Sequence, residues 1–281
     1  SRRDVLVDGL SVGDIVYYGI LHDEYGEQWF GPAAPLRGLG IAVVQDLPAV
    51  GRHLMDHPIL RASIAAGLQG TSSADRILGF QSGGYAAASR SGRLLNAGLL
   101  NTVIAYVTAL MEVKSAMGVV VAAPTAGACG ALPGAVIGAA EGMQLDEDDM
   151  ARALLAAGMI GVFICARSTF AAEVCGCMAE CGSAAGMAAA ALATLAGGSA
   201  RQAVDAASMA LQNTMGLVCD PVAGRVEVPC LGKNVLAAAN ALACANMALA
   251  GYDAVIPLDE VIAALRKHDT ELRLQAQVKG A

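Results

Sequence analysis

The chain has 281 residues and a formal charge of −7 at pH 7, which disfavours nucleic acid as a partner, since that is normally met by a basic face. It is 56% hydrophobic but only 4% aromatic, and it holds 33 glycines. Its core must therefore be built from small side chains on closely approaching helices, in one large domain or two small ones.

Read from the N-terminus, the chain shows no basic start followed by an apolar run and a cleavage site, so no signal peptide is expected. The eight cysteines then point to a reducing cytoplasm, where thiols bind metal, react or pack rather than pair. Residues 1–57 form an irregular N-terminal extension: charges, histidines and most of the aromatics are scattered there, as in YYGILHDEYGEQWFGP at 17–32. From residue 58 to 281 the character changes to long small-residue helical stretches. A short helix end is read at 62–68, then a loop carrying GFQSGG at 79–84. Helices are predicted at about 95–116, 134–142, 147–166, 184–196, 200–215, 233–250 and 258–268. Asp146 is placed to cap the third of these, with acids in its first turn. Gly197 and Gly198 end one helix, Ser199 caps the next, and Pro257 with Asp259 starts the last. With no strand pattern of comparable length beyond residue 50, the class is all-α: a compact bundle of small-residue-rich helices.

The apolar runs are too short to cross a membrane. The longest clean run, at 153–166, falls short of the roughly 20 residues that cross a bilayer, so no membrane segment is expected.

Between the helices lies a broken segment, APTAGACGALPG at 123–134. Pro124 bars helix, Gly127 and Gly130 permit unusual backbone, and Pro133 suits a first helical turn. Amides at such an entrance favour a carboxylate or phosphate, with the Thr125 hydroxyl as a further donor. The segment reads equally as a broken joint in a crowded bundle, with Thr125 as a local cap. It lacks the GK[ST] ending of a P-loop. A second dense stretch, AAEVCGCMAECGSA at 171–184, brings Cys175, Cys177 and Cys181 close in sequence, a spacing that zinc could use.

APTAGACG, TFAAEV, ECGSA, GLVCDPVAG, VEVPC, KN and MALAG, in that order over about 58–270, resemble the α chain of the iron–sulfur L-serine dehydratases. The resemblance implies three cluster ligands, Cys177, Cys219 and Cys230, separated by 41 and 10 residues as in that family. It implies a 4Fe-4S cluster with one iron left without a thiolate, acting as a Lewis acid toward L-serine, and no pyridoxal phosphate. It leaves Cys175, Cys181, Cys165 and Cys244 as packing residues and gives Cys129 a supporting role. Thr125 and the amides around Gly127 are the expected carboxylate partners of the substrate. Ser183 and Asn234 are weaker substrate-binding candidates, equally readable as a cap and a buried bridge. The catalytic base is not identified: His22, His53, His57 and His268 lie outside the resembling motifs. In the resembling enzymes a β chain or β domain supplies a histidine-bearing loop, so a partner β chain is expected, in a homo- or hetero-oligomer. An altered-specificity or non-catalytic iron–sulfur or zinc protein is the alternative. Departures from the family pattern fall at Tyr85, Lys114, Arg167 and the C-terminal LRLQAQVKGA. Residues 31–58 resemble instead a fragment of the glucose–methanol–choline oxidoreductases, without the GxGxxG a nucleotide site would need.

Overall fold

The computed structural model describes residues 19–23, 26–30, 56–74 and 76–265. The chain divides into two units, residues 1–57 and 58–281. In the first, strand β1 (Gly19–Asp23) pairs antiparallel with β2 (Gly26–Phe30), Gly19 opposite Phe30 and Asp23 opposite Gly26. This hairpin is a regular element within the extension that the sequence left irregular. The oxidoreductase-like residues 31–55, His53, His268 and the C-terminal tail lie outside the described residues.

The second unit is helical throughout its longer elements. They are α1 (Asp56–Gln69), α2 (Ser82–Arg90), α3 (Leu99–Ser115), α4 (Ala131–Met143), α5 (Glu147–Arg167), α6 (Ala172–Cys177), α7 (Ser183–Leu195), α8 (Ala200–Gln212) and α9 (Glu227–Leu249). Residues 258–265 are helical as well. Helix α7 lies at the centre, packed against α4, α5, α8 and α9. Its sequence, SAAGMAAAALATL, is buried at every position except Thr194. A helix surrounded on all sides has no polar face to offer, and alanine lets four neighbours approach it at once.

The α3–α4 contact shows how closely. Gly130, Gly134 and Gly138 face Met111, Val107 and Val103, one helical turn apart on each side. A Cβ on Gly134 would stand 2.6 Å from Val107 Cγ2 and 2.9 Å from its backbone nitrogen. No side chain fits there, so the glycine stripe sets the interhelical distance.

Caps fall where local chemistry put them. Asp146 accepts from the Asp149 amide, and Asp149 returns the bond, closing a capping box on α5. Ser199 and Gln202 do the same on α8. Three elements depart from expectation. Helix α9 begins at Glu227 rather than 233, because Pro229 sits in the first turn, where its missing N–H costs nothing. The loop expected at 79–84 becomes helix α2 from Ser82, despite Gly83 and Gly84. Its start is held by a residue distant in sequence: buried Glu112 of α3 accepts from Gln81 N (2.7 Å), Ser82 N (3.2 Å) and Ser82 Oγ (2.6 Å). The third is the turn of α6, in a stretch with no helical periodicity.

Helix length alone does not carry the argument against a membrane. Three helical stretches among the described residues, Glu147–Arg167, Ala172–Leu195 and Glu227–Leu249, are long and apolar enough to cross a bilayer by length and composition. The helices outrun the clean apolar run because their charges gather near the ends, as in Glu147, Asp148, Asp149 and Arg167 on α5. Burial divides the three: 83% of the apolar window within Ala172–Leu195 is covered by the fold, against 33% on α5.

Candidate active site

Three segments meet at one end of α9. The first runs through α6 and is broken inside: Gly176 takes φ 62°, and a π turn, Met178–Gly182, follows before α7 resumes. The Met178 amide donates to Leu217 O (2.9 Å), pinning this turn to the second segment, the connection 213–226. The third is the first turn of α9.

Each segment brings one of the expected cysteines. Cys177 (1% exposed) ends α6, Cys219 is exposed on the connection, and Cys230 (2% exposed) lies in the first turn of α9. Cys219 and Cys230 both lie close enough to act on Cys177 electrostatically. Burial pushes the Cys177 thiol up to about 12, with Lys233 opposing and the neighbouring thiols adding to the rise. Cys230 is raised too, by burial first. Lys233, whose side chain is 12% exposed, donates to Cys177 Sγ (3.6 Å), Val218 O (2.5 Å) and Asp220 Oδ1. Burial alone would lower this lysine, but Asp220 and Cys177 outweigh it and its pKa is raised. A fixed cation thus sits on the thiol group.

Do these residues fit an inorganic cluster? The thiols converge, from three stretches of chain, on one partly open place with a cation beside it. Among the described residues no three His, Cys, Asp or Glu side chains close on a single point as one metal ion requires. The four ligands of one zinc all lie within about 2.3 Å of it; a polynuclear group takes each thiolate on a different metal atom. The adjoining Ser183 hydroxyl is fully buried and has no hydrogen-bond partner, which leaves a polar group unspent beside the thiol-bearing turn. Three thiols from three stretches of chain, with a cation beside them, are a donor set that could hold such a group.

The 123–131 segment packs on the same place. Thr125 caps a 3-10 turn, Ala126–Ala128, accepting from the Ala128 amide (3.2 Å). Its hydroxyl proton goes to Glu180 Oε1 (2.6 Å), the first residue of ECGSA and not one of the expected site residues. Glu180 lies on the π turn between Cys177 and Cys181, and its carboxylate covers Gly127 so closely that a Cβ there would meet both oxygens at 2.5 and 2.6 Å. The clue in the sequence was the lone acid in an otherwise apolar, cysteine-bearing stretch.

Asn234 is fully buried and binds all three parts together. Its Oδ1 accepts from Gly130 N (3.1 Å) and Ala131 N (3.0 Å), and its Nδ2 donates to Gly127 O and Cys230 O, both at 2.8 Å, and reaches Cys181 Sγ (3.7 Å). Cys129 packs against Met111 Sδ, and burial raises its thiol to about 11. Cys175, Cys181 and Cys244 are buried. Of the departures, Tyr85 donates to Asn101 Oδ1 (3.0 Å) and Arg167 pairs with Asp259 (3.2 Å). Lys114 acts electrostatically on Cys129 and Cys230.

The serine dehydratase alpha chain family model matches residues 47–277. A protein of Bacillus subtilis named "Probable L-serine dehydratase, alpha chain" is 41% identical over 215 residues, 76% of this chain and 72% of the relative. The L-serine dehydratase alpha chain of Peptoniphilus asaccharolyticus is 41% identical over 177 residues, 63% of this chain and 61% of that one. L-serine dehydratase 1 of Escherichia coli is 41% identical over 160 residues, 56% of this chain but 35% of its own length. On this breadth of similarity, with the motif-bearing segments assembled at one place, the chain belongs to the serine dehydratase alpha chain family.

Proposed function

We propose that this chain is the cluster-bearing part of an enzyme that eliminates water from L-serine, giving pyruvate and ammonia. The observation that carries the reading is the meeting of Cys177, Cys219 and Cys230 beside the Thr125–Gly127 turn. Cys177, Cys219 and Cys230 would hold a 4Fe-4S cluster. Such a cluster, one of its irons without a thiolate, supplies a Lewis acid that draws electron density from a hydroxyl leaving group.

The chain's own residues do the rest of the positioning. The buried thiols must lose protons to become ligands, and the Lys233 ammonium lowers the cost of holding negative charge there. The early amides of the 3-10 turn at Gly127, together with the Thr125 region, would orient the substrate carboxylate. Asn234 has its amide fully spent on backbone groups and a thiol, so its part is to hold that turn against Cys230. Ser183 keeps a hydroxyl available toward the bound state. Removal of the α-proton falls to a base on a partner β chain. Loss of the hydroxyl then gives an enamine, which tautomerises to an imine and hydrolyses.

Anaerobic reconstitution with iron and sulfide tests the reading, followed by assay of serine-dependent pyruvate release with and without the partner chain. Iron uptake should collapse in Cys177→Ala, Cys219→Ala and Cys230→Ala and persist in Cys175→Ala. Stoichiometric zinc with no iron uptake would overturn it. Full turnover without any partner would overturn the partner assignment alone.

A further inference from the structure

The geometry points to Glu180 as the group that recognises the substrate's ammonium, and so as the residue that makes the site selective for an amino acid over the corresponding hydroxy acid. This rests on the serine-dehydratase reading and adds a residue to it.

Glu180 is placed as a ligand-facing carboxylate. It projects from the π turn that separates Cys177 from α7, three residues beyond that thiol. One oxygen takes the Thr125 hydroxyl proton at 2.6 Å. An ionised carboxylate has about four acceptor positions, and among the described residues Thr125 is the one side chain that donates to it. None of the ion pairs among the described residues includes Glu180; the two lysines of this region act on the thiols, Lys233 on Cys177 and Lys114 on Cys129 and Cys230. The residue is only partly buried.

Its neighbours are anionic or become so. The Glu180 charge is among the influences that keep Cys129, Cys181 and Cys230 protonated, so it lies within electrostatic reach of all three. Thiolates there would add more negative charge. A carboxylate left without a cation in such surroundings is most favourably completed by a positive ligand group. The contact with Gly127 fixes where that group goes. With both Glu180 oxygens where a Gly127 side chain would stand, the carboxylate lies against the turn proposed for the substrate carboxylate. The ammonium and carboxylate of an α-amino acid share one carbon, so neighbouring anion- and cation-binding groups match that spacing. Glycine at 127 is required for this: any side chain would push Glu180 away from the turn.

A purely structural Glu180, serving only to anchor Thr125, would affect all ligands alike. A recognition role affects only those with an ammonium. The test therefore compares binding of L-alanine, which has ammonium and carboxylate but no hydroxyl to eliminate, with propionate, which lacks the ammonium. It is read by calorimetry and by competitive inhibition on the reconstituted complex. Wild type should prefer alanine by at least tenfold. Glu180→Gln should lose at least tenfold on alanine and less than twofold on propionate, with KM for L-serine rising more than kcat falls. Glu180→Asp, one methylene shorter, should lose at least threefold in the alanine preference. It carries the test if the Gln variant fails to take up iron. Equal losses on both ligands, or an unchanged preference in either variant, overturn the assignment. A reconstituted wild type that binds alanine selectively but releases no pyruvate from serine leaves Glu180 standing and sinks the dehydratase reading instead.

Discussion

The centre of the helical unit and its site end are held together in opposite ways. Helix α7 is almost all alanine, joined to its neighbours by close backbone approach and without a buried ionisable group. The site end is joined by buried polar groups: Asn234 across three segments, Glu112 on the start of α2, and Glu227 accepting from the Ile77 (2.8 Å) and Leu78 (3.0 Å) amides. The first arrangement tolerates loss of atoms and not their gain. The second tolerates neither, because removing one partner leaves the others buried and unsatisfied. Irregular backbone is needed to bring thiols and turn together, and irregular backbone must find its hydrogen bonds outside helices.

The largest effect that would break this contrast is at Asn234. Asn234→Ala strands two amides and the Gly127 carbonyl and should cost about 4 kcal/mol in urea unfolding. A cost below about 1 kcal/mol would mean the site end is not held by its polar bridge. Next comes Gly134→Ala on the packed side, expected to cost about 2 kcal/mol or more by overpacking against Val107. Gly232→Ala is its control: it lies in α9 with nothing within 4 Å of an added Cβ, and should be neutral or gain up to about 1 kcal/mol in the same titration. Glu112→Gln keeps an acceptor but turns an amide donor toward the amides that start α2. A loss of about 1–2 kcal/mol is expected, with faster hydrogen exchange confined to residues 81–86.

The smallest expected effect is at high pH. Tyr106 is raised from 10.0 to about 12, by burial first and then by its bond to Glu141 (2.5 Å). The folded form then holds its proton to higher pH than the unfolded form. The contribution is therefore intact below pH 10 and lost as pH climbs toward 12. Tyr106→Phe should flatten the fall in melting temperature over that interval, and an unchanged slope would assign the fall to other groups.

Much of the helical unit was legible because its signals are local. Asp146 and Ser199 cap the helices they precede, and α5 and α7 fall within a residue or two of their expected bounds. Helix α2 was not legible, since its cap comes from Glu112, thirty residues on, and two glycines argue against it. The thiol group was legible only through resemblance, because eight cysteines by themselves offer too many sets. Glu180 was missed for another reason: its importance lies in the approach to Gly127, a contact between residues more than fifty positions apart.

Helix α7 carries one more consequence. Ala188 to Ala191 are wholly enclosed, and an alanine side chain has no rotamers to freeze on folding or to explore afterwards. A floor of leucines can adjust to a disturbance by turning side chains; this one can adjust only by moving whole helices. Warming should therefore leave the relative placement of α6 and α9, and of Cys177 and Cys230 upon them, unchanged until the helices part.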